Sequence, residues 1–118
     1  MSTPLLEKDA LDPDAIDQVA QAIADPTRRG ILRLCRDGEQ SAGDLAAAFP
    51  AISRPAVSQH LGVLHRAGLV QVRPEGNRRL YRSEVSALGP MSRFIDEMWA
   101  QRLPALKAAA EAIDAGEA

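Results

Sequence analysis

The 118-residue chain has a single cysteine, Cys35, so it can neither close an internal disulfide nor build a cysteine-rich metal cage. Aromatic residues make up only 3% of it, so a core must come from Leu, Ile, Val and Ala, which suits a helical protein. No stretch approaches the roughly 18 apolar residues that a membrane-spanning helix needs, and no basic-plus-apolar segment marks the N-terminus for export. A cytoplasmic protein with no membrane partner is the expectation. The sequence lacks a Gly-rich phosphate loop after a strand, a Ser/His/Asp arrangement and paired acids, so nothing points to an enzyme. His60 and His65 stand five apart, one residue too many for i,i+4 pairing on a helix. No metal and no cofactor are expected.

The net charge of −2 argues mildly against a nucleic-acid partner, but it hides a segregation. Met1–Asp25 carries one Lys against six acids, a net of −5. Pro26–Arg82 carries ten Arg against four acids, a net of +6, and Ser83–Ala118 returns to −3. A basic module therefore lies between acidic ends, and its cations are all arginine, the side chain suited to planar recognition of phosphate and guanine.

The pattern along the chain predicts a mainly α protein with a small β-hairpin. Residues 1–13 read as a loose arm, and 14–118 as one domain with a 24–82 core and flanking helices over 14–24 and 90–114. Ile16, Val19, Ala20 and Ile23 recur at helical spacing and stop before Pro26. In "ADPTRRGILRLCRDGE", Asp25 is a fitting N-cap, Ile31, Leu32 and Cys35 form an inner face, and Gly38 is placed to end the helix. "SAGDLAAAFP" predicts a short helix with Ser41 and Asp44 in a capping box, Leu45, Ala48 and Phe49 inward, and Pro50 closing it. Ser53 then caps a further helix that ends near Gly68. Two short helices across a tight turn make a helix-turn-helix. "LVQVRPEGNRRLYR" alternates as a hairpin over Leu69–Arg73 and Arg79–Arg82 with a "PEGN" turn, completing a winged helix-turn-helix.

The helix starting at Ser53 has two faces. Val57, Leu61 and Leu64 form an apolar one, and Arg54, Pro55, Ser58, Gln59 and Gly62 lie opposite. Gln can bond adenine N6 and N7 together, Arg can bond guanine O6 and N7, and Ser can meet either base edges or phosphate. Wing arginines add affinity on the backbone or in a minor groove more than sequence choice. His60 falls nearer the apolar side, at the edge of the reading face, and His65 fits a helix C-terminus. The candidate DNA-contacting set is Ser41, Ser53, Arg54, Pro55, Ser58, Gln59, His60, Arg73, Arg78, Arg79 and Arg82.

A last stripe at helical spacing includes Phe94, Ile95, Met98, Trp99, Leu103, Leu106 and Ile113, with Pro104 expected to kink or break it near Ala100. It follows a core that is already closed, so a subunit interface shared with Ile16, Val19 and Ile23 of the first helix is the expectation.

"DPTRRGILRLC", "SAGDLAAAF", "SRPAVSQHLGVLHRAGLV" and "GNRRLYR" together resemble the ArsR/SmtB family of bacterial winged-helix repressors, from about Ala24 to Arg82. The resemblance implies a homodimer pairing its first and last helices, and a recognition helix over 53–67 reading an imperfect palindrome in double-stranded DNA. It implies base-reading positions at Arg54, Pro55, Ser58 and Gln59. Metal-sensing members carry a Cys-x-Cys type motif on the helix before the recognition helix, or Asp, His and Glu ligands on the last helix. This sequence departs from both and is similar to the metal-independent branch. Two other readings remain beside repression by DNA binding: a winged-helix protein-interaction module, and a small-molecule-gated regulator with its effector site in the dimer core around Trp99.

Overall fold

The computed structural model describes residues 13–116; the predicted arm over 1–13 lies outside them apart from Pro13, which begins the first helix. Helix α1 spans Pro13–Ile23 and α2 spans Pro26–Asp37. Between them Asp25 accepts the Arg28 backbone N–H at 3.0 Å on its carboxylate, and Pro26 sits in the first turn, where a missing N–H costs nothing. A two-residue strand β1, Gln40–Ser41, leads into α3, Ala42–Ala48. The predicted capping box is present: Asp44 N–H donates to Ser41 Oγ and Ser41 N–H to Asp44 Oδ2, both at 3.0 Å. Helix α4, Arg54–Arg66, starts with Ala56 N–H donating to Ser53 Oγ at 3.2 Å.

The end of α4 is a Schellman motif. Gly68 N–H donates to His65 O at 3.0 Å and Leu69 N–H to Leu64 O at 2.9 Å, with Gly68 at φ +77°. Glycine is needed there because a side chain in that left-handed region meets its own backbone. The chain then forms β2, Val70–Glu75, and β3, Arg78–Ser83, joined by Gly76–Asn77. The turn is thus shorter than the predicted "PEGN", and Pro74 and Glu75 belong to the strand. Pro74 is tolerated because β2 is an edge strand in the order β1-β3-β2. The wing is correspondingly a three-stranded antiparallel sheet, with β1 paired to β3 at Gln40–Tyr81 and Ser41–Leu80. That pairing ties the wing to the start of α3.

Ile31, Cys35, Leu45, Val57 and Leu64 are fully buried where α2, α3, α4 and the sheet meet. Each large aliphatic among them stabilises the fold by about 1.5–3 kcal/mol through burial. Ala46, not Ala48, is the second inward alanine of α3; Ala48 is exposed, because the helix is short and turns its last residue outward. A methyl group on Gly30, in the middle of α2, would come within 2.9 Å of Phe49 Cζ, so glycine makes room for the ring that closes α3 onto α2. Val19 is also buried within its own chain, at 3% exposure, and Ile23 packs against the same core. This corrects the assignment of Val19 to a subunit interface: α1 is short, and its inner row is consumed by the domain it belongs to.

A 3-10 turn, Val85–Leu88, precedes α5, Gly89–Trp99, and α6 follows over Arg102–Asp114. The break falls at Ala100–Gln101, four residues before Pro104, whose ring excludes the carbonyl of Ala100 and whose nitrogen cannot donate to it. Along α5 and α6, Phe94, Ile95, Met98, Trp99, Leu103, Leu106 and Ile113 are 47–66% exposed. So large an apolar face is unusual for a free surface.

Candidate nucleic-acid interface

The two faces of α4 separate as its spacing requires. Val57, Leu61 and Leu64 are buried, while Arg54, Pro55, Ser58 and Gln59 are exposed. Three buried anchors on 13 helical residues hold the opposite row in one orientation. The guanidinium of Arg66 folds back over Gly62, whose missing side chain would stand 3.3 Å from Arg66 Nη1. Arg66 is therefore a cation beside the exposed face of α4 that the sequence pattern did not single out.

A cleft of about 400 Å³ opens beside the N-terminus of α4, lined by Ser41, Arg54, Asn77, Arg78, Arg79 and Tyr81 among others. It brings the first residue of α4 together with the tip of the wing. Three guanidinium groups and no carboxylate line it, which suits an anionic ridge such as a phosphate backbone. Arg54 and Arg79 make no ion pair among the described residues, and Arg78 has only Glu75 Oε2 at 3.7 Å. Asn77 and Tyr81 were not among the expected residues. A turn residue and the lone tyrosine of a strand carry no periodic signal, and only the β1–β3 pairing brings them to α3.

Four members of the expected set have other occupations. Ser41 is 8% exposed and its hydroxyl is the α3 cap. Arg73 is held by Glu39, with Nη2 to Oε1 at 2.8 Å and Nε to Oε2 at 3.0 Å. This bidentate bond lowers the pKa of Glu39 and raises that of Arg73, so both stay ionised. Arg73 thus braces the wing against the residue before β1, so its guanidinium is engaged within the chain. Arg82 Nη2 donates to Gln71 Oε1 at 3.0 Å, and Gln71 Nε2 in turn donates to Glu84 at 2.6 Å. Arg82 remains exposed. Ser53 is exposed and spends its oxygen on the α4 cap.

His60 is the fifth. It is half-buried and turned toward α2, with Nδ1 3.2 Å from Arg28 Nη1. A guanidinium can only donate, so Nδ1 accepts and the imidazole carries its proton on Nε2. Arg28 also donates from Nε to Ala22 O at 2.6 Å and from Nη2 to Gln21 O at 2.9 Å. Those carbonyls belong to the last turn of α1, which lacks intrahelical donors and carries the negative end of the helix dipole. Arg29 Nη1 adds a bond to Ile23 O at 2.8 Å. His60 therefore links α4 to the α1–α2 junction, in keeping with its expected place at the edge of the exposed face. Among the described residues no cluster of His, Cys, Asp and Glu is arranged to hold a metal ion. Cys35 is fully enclosed, and burial pushes its thiol up to about 11.

A helix-turn-helix domain family model matches residues 23–73, the stretch from the end of α1 into β2. The chain is 44% identical over 87 residues to the HTH-type transcriptional regulator Rv2034 of Mycobacterium tuberculosis, covering 74% of this chain and 80% of that one. It is similar in structure to an ArsR-like transcriptional regulator from Rhodococcus sp. RHA1, at 31% identity and a TM-score of 0.68, covering 92% and 98% of the two chains. This chain belongs to the ArsR family. The homodimeric winged helix-turn-helix DNA-binding domain of Mb0332 from Mycobacterium bovis superposes with a TM-score of 0.61 at 28% identity, covering 87% and 94%. An ArsR-family winged helix-turn-helix chain is a transcriptional regulator and not an enzyme. Within the described residues no helix is long and apolar enough to cross a membrane.

Proposed function

We propose that this ArsR-family regulator is a homodimeric repressor that binds an imperfect palindrome, with α4 in the major groove and the wing tip on the adjoining backbone or minor groove. The observation that carries this is the cleft joining Arg54 to Asn77, Arg78 and Arg79. It lines up the first residue of the exposed α4 row with the arginines at the wing tip, so one duplex can meet both. Arg54 and Gln59 read base edges, Ser58 serves bases or phosphate, and Arg78 and Arg79 supply charge. Ser41 and Ser53 act at one remove, by fixing the first turns of α3 and α4.

A second copy covers the exposed face of α5 and α6, around a groove lined by Phe94, Ile95, Met98, Trp99, Arg102 and Leu106. Ile16 of α1, which is half-buried, joins that interface in this reading. A two-fold dimer presents two copies of α4, which is why the target is palindromic. Repression needs no metal in this reading, since Cys35 is enclosed and protonated and no ligand cluster stands near α3 or α5 among the described residues.

Footprinting on the DNA upstream of the protein's own gene, with and without chelator, tests these points together. The expected result is one protected, two-fold symmetric site unchanged by chelator. A chelator-sensitive footprint overturns metal independence, and an asymmetric single half-site overturns the dimer.

A further inference from the structure

A cavity of about 180 Å³ lies between α2, the root of the wing and the 3-10 turn, and it shares no lining residue with the cleft at Arg54 or the groove at Trp99. Its apolar lining is Leu32, Leu69, Val85 and Leu88. Leu69 is buried at its floor, whereas Val85 stands 62% exposed at its rim, an apolar side chain with no cover of its own. The rim charges are unequal in availability. Glu84, which also lines the cavity, accepts from Gln71 Nε2 and from Ser86 Oγ, each at 2.6 Å. Arg36 Nε meets Asp37 at 3.3 Å. The Arg33 side chain makes no ion pair or hydrogen bond among the described residues, and it lines the pocket beside these committed groups.

An apolar pocket with one uncommitted guanidinium at its mouth selects a ligand that has an apolar tail and a single planar anion. A dry protein cavity of about 150 Å³ accepts benzene, so a tail of about six carbons fits this volume. We propose that this cavity binds a small amphiphilic carboxylate, its tail between Leu32, Leu69 and Leu88 and its carboxylate on Arg33. The ligand covers Val85 and removes its exposed surface from water.

The walls of the site are the joints of the DNA-binding unit. Ser83 Oγ donates to Leu32 O at 2.7 Å, fixing the end of β3 on α2. Glu84 N–H donates to Leu69 O at 2.7 Å, tying the wing root to the residue that closes α4. Val85 and Leu88 belong to the turn that leads into α5. A tail inserted between Leu32 and Leu69 bears on both hydrogen bonds and so changes the angle of the wing relative to α4. This second step rests on the DNA-binding reading above; the binding itself does not.

The full chain with labelled methyl groups, titrated with hexanoate and with hexanamide, tests the site by NMR. The expected result is saturable shifts at Leu32, Leu69, Val85 and Leu88, with the amide binding about 10-fold more weakly. Arg33→Gln, an exposed position, should weaken hexanoate about 10-fold and leave thermal unfolding unchanged. No saturable shift up to about 10 mM, shifts centred on Trp99, or equal binding of the amide overturns the site. In a parallel arm, hexanoate should change DNA affinity by about 5-fold or more in the parent protein and not in Arg33→Gln. Methyl shifts with unchanged DNA affinity overturn the coupling and keep the site. Absence of DNA binding without any ligand overturns the DNA-binding reading and leaves the methyl shifts to decide the site.

Discussion

Arg28 lies in the first turn of α2, where the dipole of its own helix disfavours a cation. Its side chain escapes by reaching back to the opposite pole of α1, where it meets Ala22 O at 2.6 Å and Gln21 O at 2.9 Å, while the third arm meets His60 at 3.2 Å. Arg28→Met keeps the apolar stem and the helix propensity and removes all three bonds. A shielded bond from a charged donor contributes about 1.5–3 kcal/mol, and an exposed one less. The Ala22 and His60 bonds are part-buried, the Gln21 bond is exposed, and the His60 contact is long. A loss of about 3 kcal/mol follows, a large fraction of the 5–15 kcal/mol typical of a domain. Arg28→Lys should recover no more than about a third of it, because one ammonium cannot serve three acceptors set in a fork. Urea unfolding at one fixed protomer concentration measures this, since association adds its own concentration dependence. Pairing the substitution with His60→Ala should give a coupling of about 1 kcal/mol. Arg28→Met within about 0.5 kcal/mol of the parent would refute the junction as a stabilising element.

Three further outcomes are expected. Gly68→Ala should cost about 1–2 kcal/mol, because the Cβ would meet Ala87 at an ordinary 3.7 Å and only the left-handed φ of +77° is penalised; an unchanged thermal midpoint contradicts it. Backbone N–H donation from Arg28 to Asp25 and from Ser41 to Asp44 lowers both carboxyl pKa values in the folded chain. Their contribution is present above the ordinary carboxylate range and lost as pH falls through the depressed values, so urea midpoints should drop below about pH 4. Asp44→Ala should flatten that slope, and a slope left intact argues against the cap. Cys35, enclosed and raised to about 11, should resist alkylation at pH 8 until the chain is unfolded; rapid labelling of the native protein contradicts its burial.

The helices of the DNA-binding unit were legible because each is punctuated by local chemistry: Asp25 before Pro26, the Ser41–Asp44 box, Ser53 before α4 and Gly68 after it. The exposed row Arg54, Ser58 and Gln59 was legible for the same reason, since three buried residues at helical spacing fix where the others point. Contacts between distant segments were not legible. Strand β1 has two residues and hence no period to detect. The Arg73–Glu39 pair joins residues 34 apart, and nothing local marks either as the partner of the other. His60 sits on the boundary between the two faces of α4, where spacing cannot decide, and only the position of Arg28 turns it inward. Val19 looked like half of an interface because periodicity reports an apolar face without saying whether the same chain covers it.

The central claim is that α4 reads bases while the wing supplies charge. The direct measurement is binding of the parent, Gln59→Ala and Arg78→Ala/Arg79→Ala to the footprinted site and to its single-base variants, over a range of salt. Gln59→Ala should relax choice at one base pair by about 1–3 kcal/mol and keep the salt slope. Loss of the two wing arginines should weaken all sequences alike and reduce the slope by about 2. A Gln59→Ala protein with unaltered affinity and sequence preference would contradict the account.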